Sequence, residues 1–211
     1  MSARRARCGS DENVTRPRKS GAHHPRVRSS IFCALLLALA GASPAAADEA
    51  ALWRALAGGG HAALMRHATA PGVGDPAGFK LGDCSTQRNL SAEGRAEARA
   101  IGERFRKAGV AVAAVWTSQW CRARDSAAAM AIGPVKDEPR LNSFFGEADR
   151  RSAIAASLAA VLAAPRTGPI AVFVTHQVNV TALTEIYPAS GEIVVVRPGT
   201  DRLEVVGTIK P

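Results

Sequence analysis

Three apolar runs in this chain end in residues that can do chemistry. Leu64 and Met65 run into Arg66 and His67, and the run at 170–175 ends in His176. A third run, at 110–116, leads into the polar stretch 117–122, which closes on Arg122. A neutral imidazole carries a free lone pair near pH 7 and can attack phosphorus. A guanidinium offers a rigid fork to phosphate oxygens. A second imidazole can hydrogen-bond a phosphoryl group in transfer and stabilise its charge. Arg66 and His67 alone would serve equally as a solvated strand end. Repetition at three strand ends is what makes phosphoryl chemistry the better reading.

These residues need a frame that brings strand ends together. The runs at 62–66, 110–116 and 170–175 have the length and apolar character of buried strands. Between them the pattern predicts helices over 48–57, 91–107, 122–132, 148–163 and 178–187. Ser91 is placed to cap the second of these, with Ala98, Ile101, Gly102 and Phe105 on its apolar face. For the helix at 148–163 the apolar face is read as Ile154, Leu158, Val161 and Leu162. Two last strands, 192–197 and 203–207, flank a Pro198-Gly199 turn and form an antiparallel edge. The order of elements predicts an α/β fold, a three-layer sandwich on a mostly parallel central sheet. In such a sheet the three strand ends converge on one edge, where ligands bind.

Residues 1–47 read as a basic leader and signal peptide, with an apolar core at 31–42 and an Ala-x-Ala ending at Ala47. The domain then occupies 48–211, and the expected location is the periplasm or the exterior. The core is too short for a comfortable membrane span, so no stable membrane anchor is expected. The net charge of +9 divides unevenly, with +6 in residues 1–47 and +3 in the rest. A nucleic-acid partner is therefore not expected, since no aromatic-basic stretch remains to track a backbone. Cys84 and Cys121 remain after the leader and could pair in an oxidising compartment or stay as separate buried thiols. The histidines and cysteines form no compact cluster, so neither a metal site nor a cofactor is implied.

The motifs carry a family resemblance. L-M-R-H-A at 64–68 resembles the Arg-His-Gly opening of the histidine phosphatase superfamily, the fold shared with phosphoglycerate mutases. T-S-Q-W-C-R-A-R-D-S-A at 117–127 resembles its phosphate-holding arginine segment, and V-F-V-T-H-Q at 172–177 its second histidine. The resemblance implies His67 as a nucleophile that becomes phosphohistidine, Arg66 and Arg122 as phosphate ligands, and His176 as the second pocket histidine. Arg124 lies two residues from Arg122, and it is the alignment that selects Arg122. Ala68 stands where glycine is commoner, so its methyl group could tighten the approach of phosphate.

A leaving alkoxide needs a proton, so a carboxylic acid is sought near the pocket. The mutase-like Leu-Asn-acid pattern continues here into Ser143, which cannot play that part. Glu147 is the leading candidate, with Asp149 beside it. Both serve equally as acids capping the following helix. Glu192 is a further candidate. Without an acid, the chain would favour good leaving groups or a phosphohistidine donor. Arg88, Gln87 and Asn89, in the hydrogen-bonding stretch 83–90, are the candidates for substrate contacts.

That stretch departs from the mutase pattern, and export also speaks against glycolytic substrates. The expected function is an exported phosphomonoesterase of a small phosphorylated substrate such as a sugar phosphate. The nearest resemblance is to exported phosphatases of the lipopolysaccharide core heptose phosphate type. The alternatives are a phosphohistidine-protein phosphatase, as in the smallest members, or a non-catalytic anion-binding envelope protein.

Overall fold

Alternation along the strands decides the layers. In β1 (Ala62–Arg66), Ala63 and Met65 face one side of the sheet, while Ala62 and Leu64 face the other. In β4 (Ile170–Thr175) the same period sends Val172 and Val174 one way and Ala171 and Phe173 the other. Each face therefore needs its own helical cover. The computed structural model of the protein describes residues 44–146 and 149–211. Residues 1–43 of the expected leader lie outside the described residues.

The first face is covered by α1 (Pro44–Ala57), α2 (Ala92–Lys107) and α3 (Cys121–Met130). Leu52 and Leu56, Ile101 and Phe105, and Ala127 and Met130 pack there against Val115 and Val172. Ser91 caps α2, its hydroxyl accepting from the Gly94 N–H at 3.0 Å, a bond worth about 1 kcal/mol. The second face is covered by α4 (Arg150–Leu162) and α5 (Gln177–Thr184), through Ala160, Val161 and Val180. The result is the three-layer α/β sandwich expected from sequence.

The sheet has six strands in the order β3-β2-β4-β1-β5-β6, with β2 at Val112–Thr117, β3 at Val135–Asp137, β5 at Ile193–Pro198 and β6 at Leu203–Ile209. The four strands from β3 to β1 run parallel; β5 is antiparallel to both β1 and β6. Because β4 lies between β1 and β2, the three strand ends named above are neighbours at the centre of the carboxyl edge. β3 has no signal in the sequence: Val-Lys-Asp is short, mostly polar and exposed.

Two expectations need correction. The buried face of α4 is Ser157, Ala160 and Val161, not the stripe through Ile154 and Leu158, which are half-buried. Ser157 is drawn inward by hydrogen bonds, donating to the Arg140 carbonyl at 2.6 Å and accepting from the Asn179 amide at 3.0 Å. α1 also begins at Pro44, four residues before the start at 48 expected from sequence. Among the described residues no helix is long and apolar enough to cross a membrane.

Candidate active site

β1, β2 and β4 deliver the site. His67 follows β1, and its backbone N–H continues the ladder to the Thr175 carbonyl at 2.9 Å. Ser118 follows β2 in the same way, donating its N–H to the Val174 carbonyl at 3.0 Å. His176 follows β4, and Arg122 stands in the first turn of α3. His67, His176 and Arg122 are all buried. The two imidazole rings sit 5.4 Å apart between centroids, inclined at 68°.

The hydrogen bonds fix both tautomers. The His67 Nδ1–H donates to the Ala68 carbonyl at 2.8 Å. Its Nε2 lone pair faces the Arg122 Nε–H at 3.2 Å. Nε2 thus carries the free lone pair, and it is held beside a guanidinium. His176 Nδ1 faces the Arg122 Nη2 at 3.5 Å. A guanidinium has only donors, so the proton of His176 sits on Nε2, which donates to the Ser118 hydroxyl at 2.7 Å. Burial, opposed by the Ala68 hydrogen bond and reinforced by the three guanidiniums of Arg122, Arg88 and Arg66, pushes the His67 pKa down to about 3. Burial, then His67 and the same guanidiniums, holds His176 well below the usual histidine range. Both rings are therefore neutral at pH 7.

Three arginines line the cavity above these rings, which has a volume of about 600 Å³. Arg66 donates to the Pro188 carbonyl at 2.9 Å, and its buried Nε has no partner among the described residues. Arg88 is steered by the backbone of its own loop, donating from Nε to the Gly74 carbonyl at 2.7 Å and from Nη1 to the Ala70 carbonyl. Arg122 is anchored by Asp75, whose Oδ1 accepts from Nη1 at 2.8 Å. Asp75 also accepts from the Arg88 backbone N–H at 3.0 Å and from the Trp120 indole at 3.0 Å. Burial by itself would raise the Asp75 carboxyl; these donors outweigh it and hold it below the usual carboxylate range. Arg124 points outward and pairs with Asp137 at 3.2 Å.

The other candidates fall in different places. Glu147 lies outside the described residues. Asp149 caps α4, accepting from the Ser152 N–H at 3.2 Å. Glu192 is buried away from the cavity, bound to Lys210 at 2.6 Å and to the Ala189 N–H at 2.8 Å. The Gln87 amide holds the Lys80 carbonyl at 2.9 Å, and its oxygen accepts from the Cys121 N–H at 3.0 Å. Asn89 donates to the Cys84 carbonyl at 2.6 Å. Neither side chain reaches the cavity wall, because the turn that presents Arg88 uses both amides to hold its own backbone. The Ala68 methyl is buried in the core, away from the cavity.

A disulfide joins Cys84 to Cys121. It fastens the loop bearing Asp75 and Arg88 to the residue before Arg122. Sequence reasoning placed the segment 118–122 at the site without a role for Ser118 or Trp120, and it missed Asp75. Asp75 stands in a loop with no regular period, thirteen residues before the Arg88 N–H it accepts from. Only the closed loop brings the two together.

Residues 63–175 match the family described as the histidine phosphatase superfamily (branch 1). A search of curated proteins finds no significant match. Among solved structures, the chain is similar to the putative phosphohistidine phosphatase SixA from Agrobacterium tumefaciens, at 18% identity, over 72% of this chain and 97% of that one, with a TM-score of 0.49. It is similar to the protein histidine phosphatase SixA complexed with tungstate, at 17% identity over 72% and 97%, with a TM-score of 0.49. It is also similar to Bacillus stearothermophilus YhfR, at 16% identity over 70% and 95%, with a TM-score of 0.51. At these identities the likeness concerns the fold.

Proposed function

The chain belongs to the histidine phosphatase superfamily (branch 1), and we propose that it hydrolyses phosphoryl groups through a phosphohistidine on His67, with phosphorylated protein histidine as the best-suited substrate. The guanidiniums of Arg66, Arg88 and Arg122 bind the phosphoryl oxygens. His67 Nε2 attacks phosphorus, the Nε2–P bond forms, and the bond to the leaving atom breaks with its electron pair leaving on that atom. The Nδ1–H stays on the Ala68 carbonyl and spreads the charge that the ring acquires. His176 stabilises the phosphoryl group in flight. Water then attacks phosphorus, the P–Nε2 bond breaks, and inorganic phosphate takes up the proton that water gives.

One observation carries the choice of leaving group. Among the described residues, the only carboxylate on the cavity wall is Asp75, and it is ionised and ion-paired to Arg122. It holds no proton for an alkoxide. A phosphohistidine needs none from the enzyme, since with its distal nitrogen protonated the ring leaves as neutral imidazole. The phosphomonoesterase expected first from sequence is the second reading, and it needs an acid such as Glu147, which lies outside the described residues. The Cys84–Cys121 bond supports export, because disulfides persist in oxidising compartments. Export favours the second reading, an envelope phosphatase for a sugar phosphate, including the heptose phosphate type. The test is a comparison of kcat/KM on a phosphohistidine protein, phosphoramidate and glycerol phosphate. The two P–N substrates are expected to turn over at least a hundredfold faster. Equal rates would restore the phosphomonoesterase, and vanadate binding without any turnover would leave only an anion-binding protein.

A further inference from the structure

Half of the large apolar side chains exposed among the described residues lie at the mouth of the site. Of eight large hydrophobic residues exposed among the described ones, Val73, Phe79, Phe145 and Tyr187 line this cavity. Their exposures are 91%, 38%, 63% and 74%. They come from separate segments: the loop after β1, the loop before α4 and the connection from α5 to β5. An apolar cluster of this kind, rimming a polar floor, marks a binding surface.

The rim is joined to the floor by a file of rings. Phe79 lies 5.5 Å from Trp120 at a tilt of 35°, and Trp120 lies 5.4 Å from His176 at 76°. His176 in turn lies 5.4 Å from His67. The Trp120 indole is tied to Asp75, so this wall is fixed in place. Two neutral polar side chains at the mouth make local hydrogen bonds: Gln177 donates to the Thr181 hydroxyl at 2.9 Å, and Ser143 accepts from the Phe145 N–H at 3.2 Å, while Tyr187 is exposed. A flat ring would find aromatic faces and edges.

We infer that Val73, Phe79, Phe145 and Tyr187 form a leaving-group subsite that selects phosphoryl groups carried on a flat ring. The inference rests on the cavity floor being the phosphoryl site proposed above. The ring can come from an imidazole side chain of a polypeptide or from a small aryl phosphate. Both present the same chemistry, a tetrahedral anion for the floor and a planar group for the wall.

Binding of non-hydrolysable phosphonates tests this without turnover. Isothermal titration of the full chain with benzylphosphonate and methylphosphonate is expected to show at least tenfold tighter binding of the benzyl compound. In the double variant Phe145→Ser and Tyr187→Ser that ratio is expected to fall to within about threefold. Both side chains are exposed, so folding does not depend on them. Equal affinities in the unaltered chain, or a ratio unmoved by the variant, would overturn the subsite. A peptide carrying a stable phosphotriazole in place of phosphohistidine separates the sources. Tighter binding than benzylphosphonate identifies a polypeptide, and weaker binding a small aryl phosphate. Absence of catalysis in the same preparation would instead count against the hydrolytic reading.

Discussion

Arg122 touches the His67 ring and its own counter-ion at once: Nε reaches His67 Nε2 at 3.2 Å while Nη1 reaches Asp75 Oδ1 at 2.8 Å. On the function proposed above, an incoming phosphoryl group meets a cation already ion-paired to a carboxylate. Asp75 offsets part of the repulsion that Arg122 and Arg88 feel from the neighbouring guanidiniums, and on the same reading it competes with phosphate for Arg122.

Asp75→Asn separates these effects. Leaving Arg122 buried without its partner is expected to lower stability by about 3 kcal/mol. Added phosphate takes over the role of the carboxylate, so it should raise the melting temperature of the variant by more than that of the unaltered chain. The check is thermal unfolding with and without phosphate for both proteins. An equal or smaller phosphate-dependent rise in the variant would show that Asp75 aids anion binding instead of competing with it.

The buried histidines set the response to acid. His67, with its pKa pushed down to about 3, stays neutral in the fold, while in the unfolded chain it takes up a proton below about pH 6.5. Its folded pKa is the lower one, so the unfolded state gains protons first and stability falls as the pH drops from about 6.5 toward 3. Each such histidine contributes a slope of about 1.4 kcal/mol per pH unit, and His176 acts in the same direction. Urea unfolding at pH 7, 6 and 5 is expected to show a shallower slope for His67→Gln, by about that amount. Parallel slopes would mean that the ring is charged in the fold.

Much of this architecture could be read from local pattern. β1 and β4 lie where their apolar runs predict, and Ser91 caps α2 as expected, because each depends on neighbours in the sequence. β3 could not be read, since its place is set by pairing with β2 and not by its own residues. At the site, strand ends gave the two rings, because a parallel sheet forces them together, while the family resemblance was needed to choose Arg122 over Arg124. Asp75 and the rim depend on loop closure, which no period encodes. The inward turn of Ser157 in α4 has the same origin, its partners Arg140 and Asn179 lying in other elements.

Direct trapping of the phosphoenzyme tests the central claim. Mixing the protein with labelled phosphoramidate or p-nitrophenyl phosphate, quenching in alkali and mapping the peptides is expected to place phosphate on His67. His67→Ala is expected to keep the fold, carry no label and lose turnover. Label on another residue, or near-full activity in His67→Ala, would contradict the account.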